Sequence, residues 1–219
     1  MKKTTQSVLA AACVAALMAG CSSTTMSSSA DAERATAEVI KASFQNKGIA
    51  KLDRIAPEAS NDLCSQADVA GKALDEKTAK AIEAANMAAI KWPSDGKYLG
   101  DWKRGEKVAQ SGKGLTWRDK LAATNGGNCY NCHQIDPSFN SYGTLGPSLV
   151  GYGKLRGVTD PNSPAAQAVV KYTWGKIWNS RAYNACSNMP RAGTNGILTQ
   201  NQVRDLVALL LDPTSPVNK

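Results

Sequence analysis

A mainly α-helical protein is what this sequence predicts, and three observations carry the expectation. Residues 199–211 place Val203, Leu206, Val207, Leu210 and Leu211 at helical spacing, opened by the capping pair Thr199 and Gln202 and closed by Asp212-Pro213. Residues 165–179 gather Val169, Val170, Tyr172, Trp174, Ile177 and Trp178 into a second apolar helix. Ahead of both, residues 37–96 are dominated by alanine and lysine, are punctuated by Pro57 and Pro93, and show no repeat.

In chain order, that amino-terminal extension reads as helices near 36–46, 59–73 and 76–91, packed on the domain that follows or on a partner. A short helix near 103–111 comes next, where Gly105, Val108 and Ala109 allow a close crossing and Gly112 is the stop. A loop over 113–128 then delivers the chain to Cys129. The segment 21–36, with serine, threonine, alanine and scattered charges, has too little apolar surface to offset the entropy of ordering, and reads as a flexible tether.

The first twenty residues read as an export signal: Lys2 and Lys3, an apolar run from Val8 to Met18, then Ala19 and Gly20. The run is shorter than the roughly 20 apolar residues that cross a bilayer, so cleavage is expected, not permanent anchoring. Leu17-Met18-Ala19-Gly20-Cys21 resembles a bacterial lipobox, which makes Cys21 the expected site of acylation. Ser22 in the next place favours the outer membrane over the inner one, facing the periplasm. The formal charge of +8 falls once Lys2 and Lys3 are removed, and the remaining basic surface suits an acidic redox partner. Nucleic acid is not expected as a partner, because no basic cluster interleaves with aromatic residues.

Cys129-Tyr130-Asn131-Cys132-His133 is the C-x-x-C-H run that attaches haem c: both thiols add to vinyl groups and the adjacent imidazole reaches iron. A zinc site needs four ligands, and this chain has one histidine. A thioredoxin-like pair has no role for His133. The expected cofactor is therefore one covalently bound haem c. With no second histidine, the sixth ligand is of another type. Met26 lies in the tether, and Met87 sits in an alanine-rich helical pattern where methionine fills core space. Met189, in the non-helical Asn188-Met189-Pro190, is the expected axial partner of His133, with Cys186 as the other candidate.

Cys13 leaves with the signal, which makes Cys64 and Cys186 the spare thiols. In an oxidising compartment two such thiols pair, so a Cys64–Cys186 disulfide is expected; the alternative leaves one thiol free near iron. No acid, base or nucleophile constellation is visible, so no catalytic residue is assigned.

Gly146-Pro147-Ser148-Leu149-Val150-Gly151 resembles the Gly-Pro-x-Leu-x-Gly turn that follows the haem run in class I cytochromes c. That resemblance implies a class I cytochrome c-like haem domain over 97–219, behind the helical N-terminal extension over 37–96. It also implies that the Pro147 carbonyl accepts the Nδ1 proton of His133, and that the carboxy-terminal helix crosses the helix preceding the haem run.

More specific stretches are Leu63-Cys64-Ser65-Gln66, Gly127-Asn128 with the haem run and Gln134, Tyr142-Gly143-Thr144-Leu145 leading into the Gly146 turn, and Gly151-Tyr152-Gly153-Lys154-Leu155-Arg156-Gly157. Tyr183-Asn184-Ala185-Cys186-Ser187-Asn188-Met189-Pro190-Arg191 and the tail from Leu211 to Lys219 complete the set. Together they resemble the SoxX subunits of SoxAX cytochromes of bacterial thiosulfate oxidation, with Ala192 standing where such chains are expected to carry Phe. The resemblance implies a heterodimer with SoxA, the pair acting as an L-cysteine S-thiosulfotransferase whose active haem lies in SoxA. Thiosulfate is then oxidatively joined to a cysteine of the carrier SoxYZ, and this chain relays the released electrons to a soluble cytochrome c. The alternatives are a free-standing periplasmic monohaem electron shuttle, and a haem enzyme or gas sensor with an open iron position.

Overall fold

A computed structural model describes residues 29–119 and 125–219. The expected signal, Cys13, the acylation site Cys21 and Met26 all lie outside these residues. Mainly α architecture is present: no strand occurs among the described residues, and the one β-bridge joins Lys47 to Ala50. The helices are α1 (Ser29–Ser43), α2 (Ala59–Val69), α3 (Glu76–Ala88), α4 (Trp102–Gln110), α5 (Gln167–Trp178) and α6 (Gln200–Leu211), with short 3-10 turns between several of them.

The chain divides into two compact units, Met1–Gln45 and Asn46–Lys219. In the first unit, α1 begins at Ser29, inside the segment expected to be a flexible tether. Asp31 in its first turn and Lys41 in its last both complement the helix dipole, and Arg34 pairs with Asp31 one turn away. None of its residues is buried.

The second unit runs through the boundary expected near residue 96. Ile90 belongs to the same apolar cluster as Trp174, and the Trp174 indole donates to the Lys91 carbonyl at 3.2 Å. Asn179 donates from Nδ2 to the Asn86 carbonyl at 3.1 Å, and Arg204 pairs with Asp95 at 2.7 Å. Segment 76–96 is thus part of the packed body. An aromatic chain follows the same seam: Trp92, Tyr98, Trp174 and Trp178 meet in succession at centroid separations of 6.5, 5.6 and 5.4 Å.

The frame of this unit is the crossing of α4 and α6. A Cβ on Gly105 would overlap the Asp205 carbonyl, and Ala109 is fully buried, so small residues let the two backbones touch. On α6 the buried face carries Val203, Leu206, Val207, Leu209 and Leu211. Its start is fixed by the Thr199/Gln202 capping box, both halves of which are formed. Asp205, though buried, is satisfied: Oδ1 accepts from the Asp101 amide at 2.8 Å, and Arg104 reaches both of its oxygens at 3.0 Å. Asn218 closes the other end by accepting from the Gly153 amide at 2.9 Å and donating to the Leu210 carbonyl at 3.0 Å.

Candidate functional site

The residues that enter the C-x-x-C-H run are bonded back to the end of α4. Amides of Gly127 and Asn128 donate to the carbonyls of Val108 and Ser111 at 2.8 and 2.9 Å. Asn128 takes a left-handed φ of 48°, which turns the backbone into a 3-10 turn over Cys129–Asn131. Within that turn the amides of Cys132 and His133 both donate to the Cys129 carbonyl, at 3.1 and 2.9 Å. The two cysteines are free thiols, each half-buried. Burial pushes the Cys129 thiol up to about 12, so it stays protonated at neutral pH.

The strip 143–149 is laced to this turn by three main-chain bonds: Gly143 to Tyr130, Gly146 to Cys132 and Leu149 to Gln134, each at 2.8 Å. Two glycines make the approach possible. A Cβ on Gly143 would overlap the Asn131 carbonyl, and one on Gly146 would fall on the His133 imidazole. The His133 ring lies against Gly146 with Nδ1 at 2.7 Å from the Pro147 carbonyl oxygen. A carbonyl can only accept, so Nδ1 carries the proton and Nε2 keeps its lone pair.

Met189 lies in the loop between α5 and α6, half-buried against the core. Its carbonyl accepts from Ser180 Oγ at 2.5 Å and its amide donates to Ser187 Oγ at 3.3 Å. The loop returns to α5 where the amides of Gly193 and Thr194 both donate to the Trp178 carbonyl at 3.1 Å. Cys186 in the same loop is disulfide-bonded to Cys64 of α2, with Cα atoms 5.5 Å apart. Neither cysteine is therefore a free thiol available to iron. Met87, on α3, packs against the core.

The donor set fits a haem better than a protein-ligated ion. Among the described residues no group of three or more His, Cys, Asp or Glu side chains could hold a metal ion. A single imidazole beside two unpaired thiols in one turn suits a metal whose equatorial ligands come from a macrocycle, while Met189 lies on a separate loop. The indole N–H of Trp178 is buried with no acceptor. It is one of several buried side-chain polar atoms without a partner among the described residues.

Sequence reasoning named Cys129, Cys132, His133, Pro147, Met189, Cys64 and Cys186, and quoted Gly143 and Gly146 as parts of motifs without giving either a role of its own. The two glycines, spaced three apart just after the haem run, were a usable signal of close backbone approach.

No family model matches the chain. An uncharacterized lipoprotein of Aquifex aeolicus (strain VF5) is 41% identical over 133 residues, which are 60% of this chain and 59% of that protein. The chain thus spans less than two thirds of the length of the curated relative it matches.

Proposed function

We propose that this chain is an exported monohaem c-type cytochrome of class I type that relays electrons as the SoxX-like subunit of a SoxAX complex. The observation that carries the reading is the His133 site: an imidazole laid on Gly146, its Nδ1 proton engaged by Pro147, one residue after a C-x-x-C pair of free thiols. Cys129 and Cys132 would hold haem c through thioether bonds, and His133 and Met189 would ligate its iron. Bound there, haem c supplies one-electron transfer with no iron position left for substrate. The Pro147 carbonyl fixes the tautomer that presents Nε2 and raises the basicity of that nitrogen.

In this role the oxidative joining of thiosulfate to a SoxYZ cysteine takes place at the SoxA partner and releases two electrons. They pass singly through this chain to a soluble cytochrome c. The Aquifex relative's description as a lipoprotein supports acylation of Cys21 and a place in the cell envelope; the periplasmic side rests on the export signal, and the outer membrane is favoured by Ser22. No helix among the described residues is long and apolar enough to cross a membrane.

Production in a host able to mature c-type cytochromes tests the reading. The expected product has a Soret band, one haem by intact mass, and a ferrous form that resists carbon monoxide. Met189→Ala should keep the covalent haem while admitting carbon monoxide and lowering the potential. A colourless product ends the haem proposal. A red product that purifies without a second cytochrome would favour the free-standing shuttle.

A further inference from the structure

Beside the Cys64–Cys186 bridge lies an open cavity of about 530 Å³, lined in part by the Met189 loop, whose arginines the electron-transfer reading does not use. Arg54, Arg181 and Arg191 all line it, and Glu58 is the one acidic residue among its walls. Arg181 pairs with Glu58 at 3.3 Å and Arg191 pairs with the same carboxylate. Both guanidinium side chains are only 14% exposed, whereas Glu58 is 48% exposed. One well-hydrated carboxylate is therefore shared between two poorly hydrated cations. Desolvation lowers the pKa of Arg181, and the neighbouring Arg191 lowers it further. Arg54 reaches only a carbonyl, that of Leu115 at 3.3 Å. With three guanidinium groups against one carboxylate, the walls carry a surplus of two positive charges.

The uncharged part of the lining is also rich in donors. Asn61, Ser65 and Asn188 are among its residues. Glu58, the residue before α2, makes no side-chain cap bond, so the amides at the start of this 11-residue helix receive no cap from it.

We propose that this cavity binds a small doubly charged tetrahedral oxyanion, of the sulfate or hydrogen phosphate class, through Arg54, Arg181 and Arg191. The charge of such an anion cancels the surplus, and its oxygens accept from guanidinium groups in the geometry those groups favour. The site shares the Met189 loop with the haem reading, but its three arginines have no part in that reading. It is built from α2, the segment before it and the 181–195 loop, and its occupancy would tie these together in addition to the disulfide.

The test is calorimetric titration of the full chain, as purified from its host, with sodium sulfate and with sodium phosphate against sodium chloride at matched ionic strength. One saturable site for the divalent anions is expected, with chloride ineffective. Arg54→Gln and Arg191→Gln should each weaken sulfate binding by about tenfold, the worth of one charge-assisted hydrogen bond. Lys97→Gln, at an exposed position away from the cavity, should leave it unchanged. Arg191 also holds Glu58, so its variant could misfold; Arg54 is exposed and in no ion pair, and its variant keeps the test decisive. Sulfate no tighter than chloride, or parent-like binding by Arg54→Gln, would overturn the proposal. So would a glutamate-rich peptide that binds more tightly than sulfate and competes with it, since the cavity would then be a dock for protein carboxylates.

Discussion

The segment 129–149 and the loop 181–195 hold the two residues proposed as iron ligands, His133 and Met189, and they are held in place by different means. Around His133 nearly every restraint is main chain to main chain and lies within about twenty residues: the 3-10 turn, the three bonds from Gly143, Gly146 and Leu149, and the Pro147 carbonyl. Around Met189 the local bonds to Ser180 and Ser187 are joined, at the flanking loop residues, by side chains from far along the sequence. Cys186 is bridged to Cys64 across 122 residues, the Ala185 amide donates to Glu83 at 3.1 Å, and Arg191 pairs with Glu58. A ligand fixed by local backbone geometry survives changes elsewhere. One fixed by remote partners can be loosened from a distance.

Removing the bridge is the strongest way to break this contrast. Cys64→Ser with Cys186→Ser should cost about 2 to 5 kcal/mol of unfolding free energy, the usual loss for a bridge closing a long loop. In urea titrations the midpoint should fall, while NMR of the His133 ring protons stays parent-like because none of its restraints crosses the bridge. A change in the His133 signals equal to that in the loop would remove the distinction between the two regions.

Gly146→Val attacks the other side. The added side chain falls on the imidazole, and the overpacking should cost about 1 to 3 kcal/mol. Haem incorporation, read as Soret absorbance per chain, should drop well below that of the bridge variant, which would identify the local scaffold as the one that governs attachment.

Ser180→Ala probes the loop more gently. Ser180 is fully buried and its hydroxyl donates to the Met189 carbonyl, so the substitution should cost about 1 to 2 kcal/mol by leaving that oxygen unmatched. Carbon monoxide should then enter the ferrous site faster than in the parent, without the full opening expected of Met189→Ala.

Thr199→Ala lies outside both regions. It removes the cap of α6 and should cost about 1 kcal/mol by chemical denaturation, with no change in ligand access.

What was legible in the sequence follows the same division. The end of α6 and its capping box are read within one window, because Thr199, Gln202 and the apolar stripe are neighbours in the chain. The C-x-x-C-H run and the Gly-Pro turn are equally local. The expected boundary near residue 96 was not legible in this way. Ile90, Lys91 and Asp95 find their partners in Trp174 and Arg204, some hundred residues on, and no periodicity marks such contacts. The helix expected near 36–46 is there as α1, but its start at Ser29 was missed because its residues bury nothing, which removes the apolar stripe by which a helix's extent is recognised. The pairing of Arg181 and Arg191 with Glu58 was invisible for the same reason as the boundary: charge on one strip of sequence says little about which distant strip will share it.

The stacked tryptophans at the centre of the second unit have an optical consequence. Trp174 is wholly buried and lies on Trp178, whereas Trp92 and Trp117 are 39% and 49% exposed. Emission from the cofactor-free chain should therefore contain a blue component that acrylamide cannot reach and a red component that it quenches. Selective loss of the blue component would report opening of the body at the place where α5 meets the loop carrying Met189, with no label attached.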